Sequence, residues 1–253
     1  MPAKPWLPRA RRSVKCCLNL PGHERRKFEI SRSMRRIRLM TVSGRKEFAC
    51  MYVPTSFRID DHGILLDFVE RHAFATVVSI RDNVPFASHI PLVLDRSANV
   101  LLGHMARANP QWKHFETGDE ILSIFTGPHA YVSPSWYVDS PAVPTWNYAT
   151  VHVYGLPRLI SSERTAEAVD TLVRKYEDHR ETPWPNVLPD EFRRRMLSAI
   201  VGFEIPITRI EGKFKLGQNR SAEDQAGMLQ GLRKDGPEAM ALADFIDRNG
   251  YGA

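Results

Sequence analysis

The sequence predicts an α+β domain in which helices pack on an antiparallel barrel, and three observations predict it. Short β-branched and aromatic runs recur every 10–15 residues from Ala75 to about residue 160 with turn residues between them, the pattern of a barrel or a sandwich. From Ser162 onward the period changes to that of amphipathic helices. A strand-like segment then returns at 203–216 before a last helical pair. The order β, α, β, α is that of an α+β domain.

Taken in order, ILLDFVERHAF starts at Ile64 and places Leu65, Phe68, Val69 and His72 at helical spacing. ATVVSI (75–80) is a β-branched run, RDNVP is a turn by composition, and PFASHIPLVL (85–94) returns as the second arm of a hairpin. DRSAN turns the chain into the strand VLLGHM (100–105), and ARANPQWKHF follows as a helical or irregular crossover. DEILSIFTG (119–127), HAYVS, VPTWNYATVHVYG (143–155) and LPRLIS complete the β-rich part. Ser162 can cap a helix through TAEAVDTLVRKYEDH with the stripe Ala166, Val169, Leu172, Val173 and Tyr176. After the proline-rich TPWPNVLP, Asp190 starts a second helix with the stripe Phe192, Met196, Leu197 and Ile200. FEIPITRIEGKFKL (203–216) reads as two short strands or one bent one. Ser221 with Asp224 opens the last helical pair, split by DGP at 235–237.

Charge divides the chain of 253 residues. Residues 1–50 carry a formal +11 and all three cysteines, whereas the remainder carries −5. The first segment has no clean apolar period, and its short VKCCLNL is no secretory core. It reads as a basic, disordered extension, with Met51 as the natural beginning, or as a transit peptide or nucleic-acid-binding arm. Residues 51–253 form the folded domain. Their lack of cysteine removes any need for disulfides and fits a reducing cytoplasm. No apolar run approaches the roughly 18 residues of a membrane span.

No nucleophile elbow, zinc-protease, P-loop or dinucleotide motif is present, and the eight histidines of the body have no strong metal spacing. His89, His104, His129 and His152 lie in or beside strands, where a hydrogen-bonded structural role is the commoner one. Polar and aromatic residues instead crowd the strand ends. GPHAYVSPSWY and VPTWNYATVH bring Tyr131, Trp136, Tyr137, Trp146 and Tyr148 near His129, Ser133 and Asn147, and GKFKLGQNR adds Lys213, Lys215, Gln218, Asn219 and Arg220. Alternation in KFKL puts Lys213 and Lys215 on one face and Phe214 and Leu216 on the other. A planar ligand carrying a phosphate suits this mixture, with apolar walls for a ring, amides for its edge and cations for the phosphate. An edge strand protected by lysines explains it about as well.

Five segments, HIPLVLD (89–95), LLGHMARANPQW (101–112), IFTGPHAYVSPSWY (124–137), VPTWNYATVHVYG (143–155) and GFEIPITRIEGKFKLGQNR (202–220), together resemble the PaiB-type FMN-binding proteins known as negative transcriptional regulators. The resemblance runs from Met51 to about Leu232 and leaves out residues 1–50. It implies a flavin-binding split barrel related to pyridoxamine phosphate oxidase, a homodimer, and FMN in a groove between subunits. By position it implies Arg107 as the phosphate ligand, flanked by His104 and Asn109. Lys215 and Gln218 follow as candidates reaching the partner's flavin, with Trp136, Trp146 and Asn147 shaping the ring pocket.

Two functions follow from that resemblance: an FMN-responsive negative regulator, or a flavin-dependent oxidoreductase; haem binding through a histidine is a distant third. The −5 of the body has the wrong sign for DNA binding by bulk charge. A helix–turn–helix sought in SAEDQAGMLQGLRKDGPEAMALADFIDR would have an acidic, apolar recognition helix, so this segment is expected to pack on the barrel. RRR at 193–195 is the better basic patch of the body, and residues 1–50 hold the strongest DNA-contacting arm.

Overall fold

The computed structural model describes residues 51–251, and the expectations for residues 1–50 lie outside the described residues. In chain order the elements are β1 (Arg58–Ile59), α1 (His62–Arg71), β2 (Phe74–Arg81), β3 (Val84–Pro91), β4 (Val93–Asp95), β5 (Val100–Ala106), β6 (Ile121–Val132), β7 (Thr145–Gly155), β8 (Arg158–Leu159), α2 (Ser162–Glu177), α3 (Asp190–Ser198), β9 (Ile200–Lys215), α4 (Ala222–Leu232) and α5 (Pro237–Arg248). The crossover after β5 is a 3-10 helix, Pro110–Thr117.

Local chemistry explains most of these boundaries. Asp61 caps α1 by accepting from the Ile64 amide, Ser161 caps α2 through Arg164, and Ser221 caps α4 through Asp224. The cap of α2 is therefore one residue earlier than the sequence suggested. Between β2 and β3 the turn residues Asp82 and Asn83 both take positive φ, 52° and 61°, which these short polar side chains tolerate. The predicted strand 85–94 breaks at Leu92, giving β3 and β4.

Among the described residues the strands form one nine-stranded sheet with order β3-β2-β6-β7-β9-β5-β4, and β1 and β8 also pair with β9. Every pairing is antiparallel. The segment 203–216 is one bent strand. Its first half, from Ile200 to Pro206, pairs with β5, and its second half, to Lys215, pairs with β7. By serving two partners in succession, β9 joins the two parts of the split barrel. Inside lie Phe125, Phe203, Phe214, Leu101, Ile205 and Leu216, all fully buried. The last helix closes the barrel with Leu242, Ala243, Phe245 and Ile246, so α5 is a packing element.

Two helix stripes differ from expectation. On α2 the buried residues are Thr165 and Ala168, with Leu172 partly covered, while Tyr176 is exposed. Small residues face the sheet because α2 lies close to β9 at Gly202, where a Cβ would stand 2.1 Å from Thr165 Oγ1. On α3 no residue is buried, and Phe192 and Met196 are exposed. Ile200, predicted to extend that stripe, already belongs to β9. Among the described residues no helix is long and apolar enough to cross a membrane.

Candidate functional site

Where β5 ends, LLGHMARANPQW becomes a hub of internal hydrogen bonds. The Arg107 amide donates to Ala199 O at 2.8 Å, and the guanidinium donates through Nε to Ser198 O and through Nη2 to Ile200 O, both at 2.8 Å. These carbonyls lie at the C-terminal end of α3, where helices leave acceptors without intrahelical donors. Asn109 accepts from the Gln111 amide and donates to Ser88 Oγ at 2.8 Å, so it caps the 3-10 helix and ties it to β3. Gln111, fully buried, donates through Nε2 to Val77 O and Ser79 Oγ. Ser79 Oγ also lies 2.8 Å from His114 Nδ1. Sequence reading missed this Ser79–Gln111–His114 cluster, and no spacing signals it, because its members come from two distant segments.

Beside Arg107, α2, α3, β8 and the first residues of β9 enclose a cleft of about 440 Å³. Its walls include Leu159, Leu197 and Val201, hydroxyls come from Ser162 and Thr165, and among the described residues no carboxylate lines it. The guanidinium of Arg107 is clamped by its two carbonyl bonds, which leaves Nη1 without a protein acceptor among the described residues. Arg194, from α3, also lines the cleft and has no ion pair among the described residues. Two cations, apolar walls and no competing anion make this cleft suited to an amphipathic anion.

His104 stands opposite Gly202 in the β5–β9 pairing. By strand alternation it lies on the same side as Val100 and Leu102, which pack against Ala168 of α2. Burial pushes its pKa below the ordinary imidazole value, which favours the neutral ring.

Trp146 and Lys215 occupy a different place, the outer face of β6, β7 and β9. Here the pairing sets Tyr148 between His129 and Lys215, with Trp146 opposite Tyr131 in the next row. Trp146 is 55% exposed and Tyr131 43%. Lys215 donates to Trp146 O at 2.9 Å and to Thr145 Oγ1. Burial, followed by the charges of Lys213 and Arg220, lowers its pKa. Lys213 lies 5.4 Å from the ring centres of both Tyr52 and Tyr148. Phe74 and Ile80 of β2, also exposed, carry the same face toward the edge of the sheet.

The remaining three expected residues hold the C-terminal helices. The Trp136 ring fills a notch in α4, where a Cβ on Gly231 would lie 2.2 Å from it. Asn147 is buried and donates to Met228 Sδ at 3.1 Å. Gln218 accepts from the Leu216 amide at 2.8 Å and donates to Phe214 O at 2.6 Å, closing the end of β9. Nearby, the fully buried Asp224 accepts from the amides of Val138 and Asp139 and pairs with Arg220 at 3.6 Å. One chain therefore does not gather the eight residues into one site. Arg107 bonds the first residue of β9, while Lys215 is its last.

A family model described as "Putative FMN-binding domain" matches residues 51–209. The protein named protease synthase and sporulation protein PAI 2, from Bacillus subtilis strain 168, is 36% identical over 202 residues, covering 78% of this chain and 97% of that protein. An uncharacterized protein of Emericella nidulans is 33% identical over 205 residues, covering 65% of this chain and 82% of its own. Among solved structures, the FAD and heme binding protein from Mycobacterium smegmatis superposes with a TM-score of 0.53 at 19% identity, covering 67% of this chain and 78% of that one. The flavocytochrome Anf3 from Azotobacter vinelandii gives 0.52 at 16% identity, covering 64% and 70%. At these identities the two structures speak for the split-barrel fold.

Proposed function

The chain belongs to the FMN-binding domain family, and from that premise we propose that it is an FMN-binding negative regulator acting as a cytoplasmic homodimer. The observation that carries the reading is the uncommitted Nη1 edge of Arg107 beside a cleft that contains no carboxylate. A phosphate dianion entering there meets a guanidinium whose orientation is already fixed, so little side-chain entropy is lost on binding. His104 stays neutral under its burial and keeps the neighbourhood free of a competing charge change at neutral pH. When bound, FMN supplies a ring system that can exchange electrons, and the protein supplies its orientation and electrostatics.

Two features support the dimer. Phe74, Ile80, Tyr131 and Trp146 expose apolar surface on one face of the sheet, a patch of the kind that marks association. Arg107 and Lys215 stand at opposite ends of a strand about 50 Å long when extended. A second subunit supplying Lys215 would bring both cations to one FMN. DNA contact falls to residues 1–50, whose +11 contrasts with the −5 of the body.

The test has three parts. The absorption spectrum of the purified protein after FMN addition reads the cofactor, and light scattering reads the dimer. DNA binding is compared for chains with and without residues 1–50. A protein that binds no FMN sinks the cofactor reading, and equal DNA binding by the two chains sinks the arm. Sustained electron transfer from the reduced protein to oxygen or a small substrate would replace regulation with catalysis.

A further inference from the structure

We propose that Arg194 of α3 is a second phosphate-binding residue, facing the same cleft as Arg107 and contributing to the preference for a phosphorylated flavin over riboflavin. This rests on the reading of the cleft as the phosphate end of the FMN site. The arginine run 193–195 divides by what each side chain meets. Arg193 makes a bidentate pair with Asp170 of α2, with bonds of 3.1 and 2.8 Å. Arg195 lies 5.3 Å from the ring centre of its own helix neighbour Phe192. Among the described residues Arg194 has neither kind of partner, and it lines the cleft with Arg107, Ser162 and Ser198.

The surroundings keep it available. Among the described residues no carboxylate lines the cleft. On the neighbouring helix, Asp170 is already taken by Arg193. The carbonyls of Ser198, which ends α3, and Ile200, which starts β9, would otherwise attract a nearby guanidinium and are occupied by Arg107. Arg107 therefore does two things at once: it satisfies the helix end, and it leaves Arg194 as a cation without an acceptor among the described residues, beside its own Nη1. Two guanidinia on one dianion give the planar, multidentate recognition that arginine provides and lysine does not.

α3 buries no residue fully, and the Arg193–Asp170 pair and the Arg107 bond to Ser198 O tie it to its neighbours. A phosphate joining Arg194 to Arg107 adds a third tie, so occupancy of the cleft also slows hydrogen exchange in residues 190–198.

The experiment titrates wild type, Arg194→Ala and Arg194→Lys with FMN, riboflavin and inorganic phosphate. Unfolding midpoints check that the variants remain folded, which the exposure of Arg194 favours. The expected result is a loss of about 10-fold or more in FMN affinity for Arg194→Ala, unchanged riboflavin affinity, and an intermediate loss for Arg194→Lys. Equal FMN affinities in wild type and Arg194→Ala overturn the proposal and leave FMN binding itself intact. If wild type binds no FMN, the functional reading fails separately, and inorganic phosphate decides. Phosphate binding that disappears in Arg194→Ala supports an anion site in the cleft; no binding, or equal binding, removes it.

Discussion

Gly202→Ala places one methyl group between β9 and α2, beneath the cleft. In the structure that carbon would lie 2.1 Å from Thr165 Oγ1, 2.8 Å from its Cβ and 2.9 Å from its Cγ2. Thr165 is 5% exposed, is β-branched, and donates through Oγ1 to Ser161 O at 2.8 Å, so it has little freedom to turn away. Relief must come from shifting α2 off the sheet, and overpacking of this kind costs about 1–3 kcal/mol. Urea unfolding measures the loss. Thr165→Ala alone forfeits its hydrogen bond, worth roughly 0.5–1.5 kcal/mol, yet it removes two of the three close atoms. The double variant should therefore be more stable than the sum of the single losses by about 0.5–3 kcal/mol. A Gly202→Ala protein within about 0.5 kcal/mol of wild type, the range of an ordinary surface change, would refute the close approach of α2 and with it the shape of the cleft.

Arg107→Ala should weaken FMN binding by about 1.5–3 kcal/mol, the worth of a charge-assisted contact, and should also lower the unfolding midpoint because Ser198 O and Ile200 O lose their donor; an unchanged affinity in a folded variant removes it from the site. Asp224→Ala leaves the amides of Val138 and Asp139 without an acceptor and Arg220 without its partner; a loss of about 3–5 kcal/mol in urea unfolding is expected, with Asp224→Asn losing less. Mild acid should destabilise the fold through its buried histidines. Burial depresses the pKa values of His72, His104, His114 and His152 from 6.5. The unfolded chain takes up protons first, so stability falls as pH drops below about 6.5 through the lower folded values. Equal urea midpoints at about pH 7.5 and 5.5, on either side of the free histidine value, would contradict this. Ile80→Glu on the exposed sheet face should yield monomers in light scattering; a dimer that persists points to another interface.

Much of the fold was legible because local chemistry and global packing agree. The Ser221 cap, the Asp82–Asn83 turn and the alternation Lys213, Phe214, Lys215, Leu216 each indicate one structure, and Phe214 and Leu216 are indeed buried. The errors have a common cause. Hydrophobic periodicity reports which face of a helix is apolar, and only the neighbouring element decides whether that face is used. On α2, contact with a strand that carries glycine selects the small Thr165 and Ala168 over the larger stripe. On α3, Phe192 and Met196 are correctly spaced, and no element among the described residues covers them.

The site was less legible because sequence shows which polar groups exist and not which have already been spent. LLGHMARANPQW carries an imidazole, a guanidinium and two carboxamides within a few residues. Asn109 and Gln111 spend their amides on Ser88, Val77 and Ser79, while Arg107 spends only part of its donor set. The arginine run makes the same point from the other direction. Read along the chain, Arg193, Arg194 and Arg195 are one basic patch. Successive helical residues are about 100° apart around the axis, so the three meet a carboxylate, a cleft and an aromatic ring in turn. Among the described residues only the middle one has neither an ion pair nor a ring contact, and that difference singles out Arg194 as the candidate phosphate ligand.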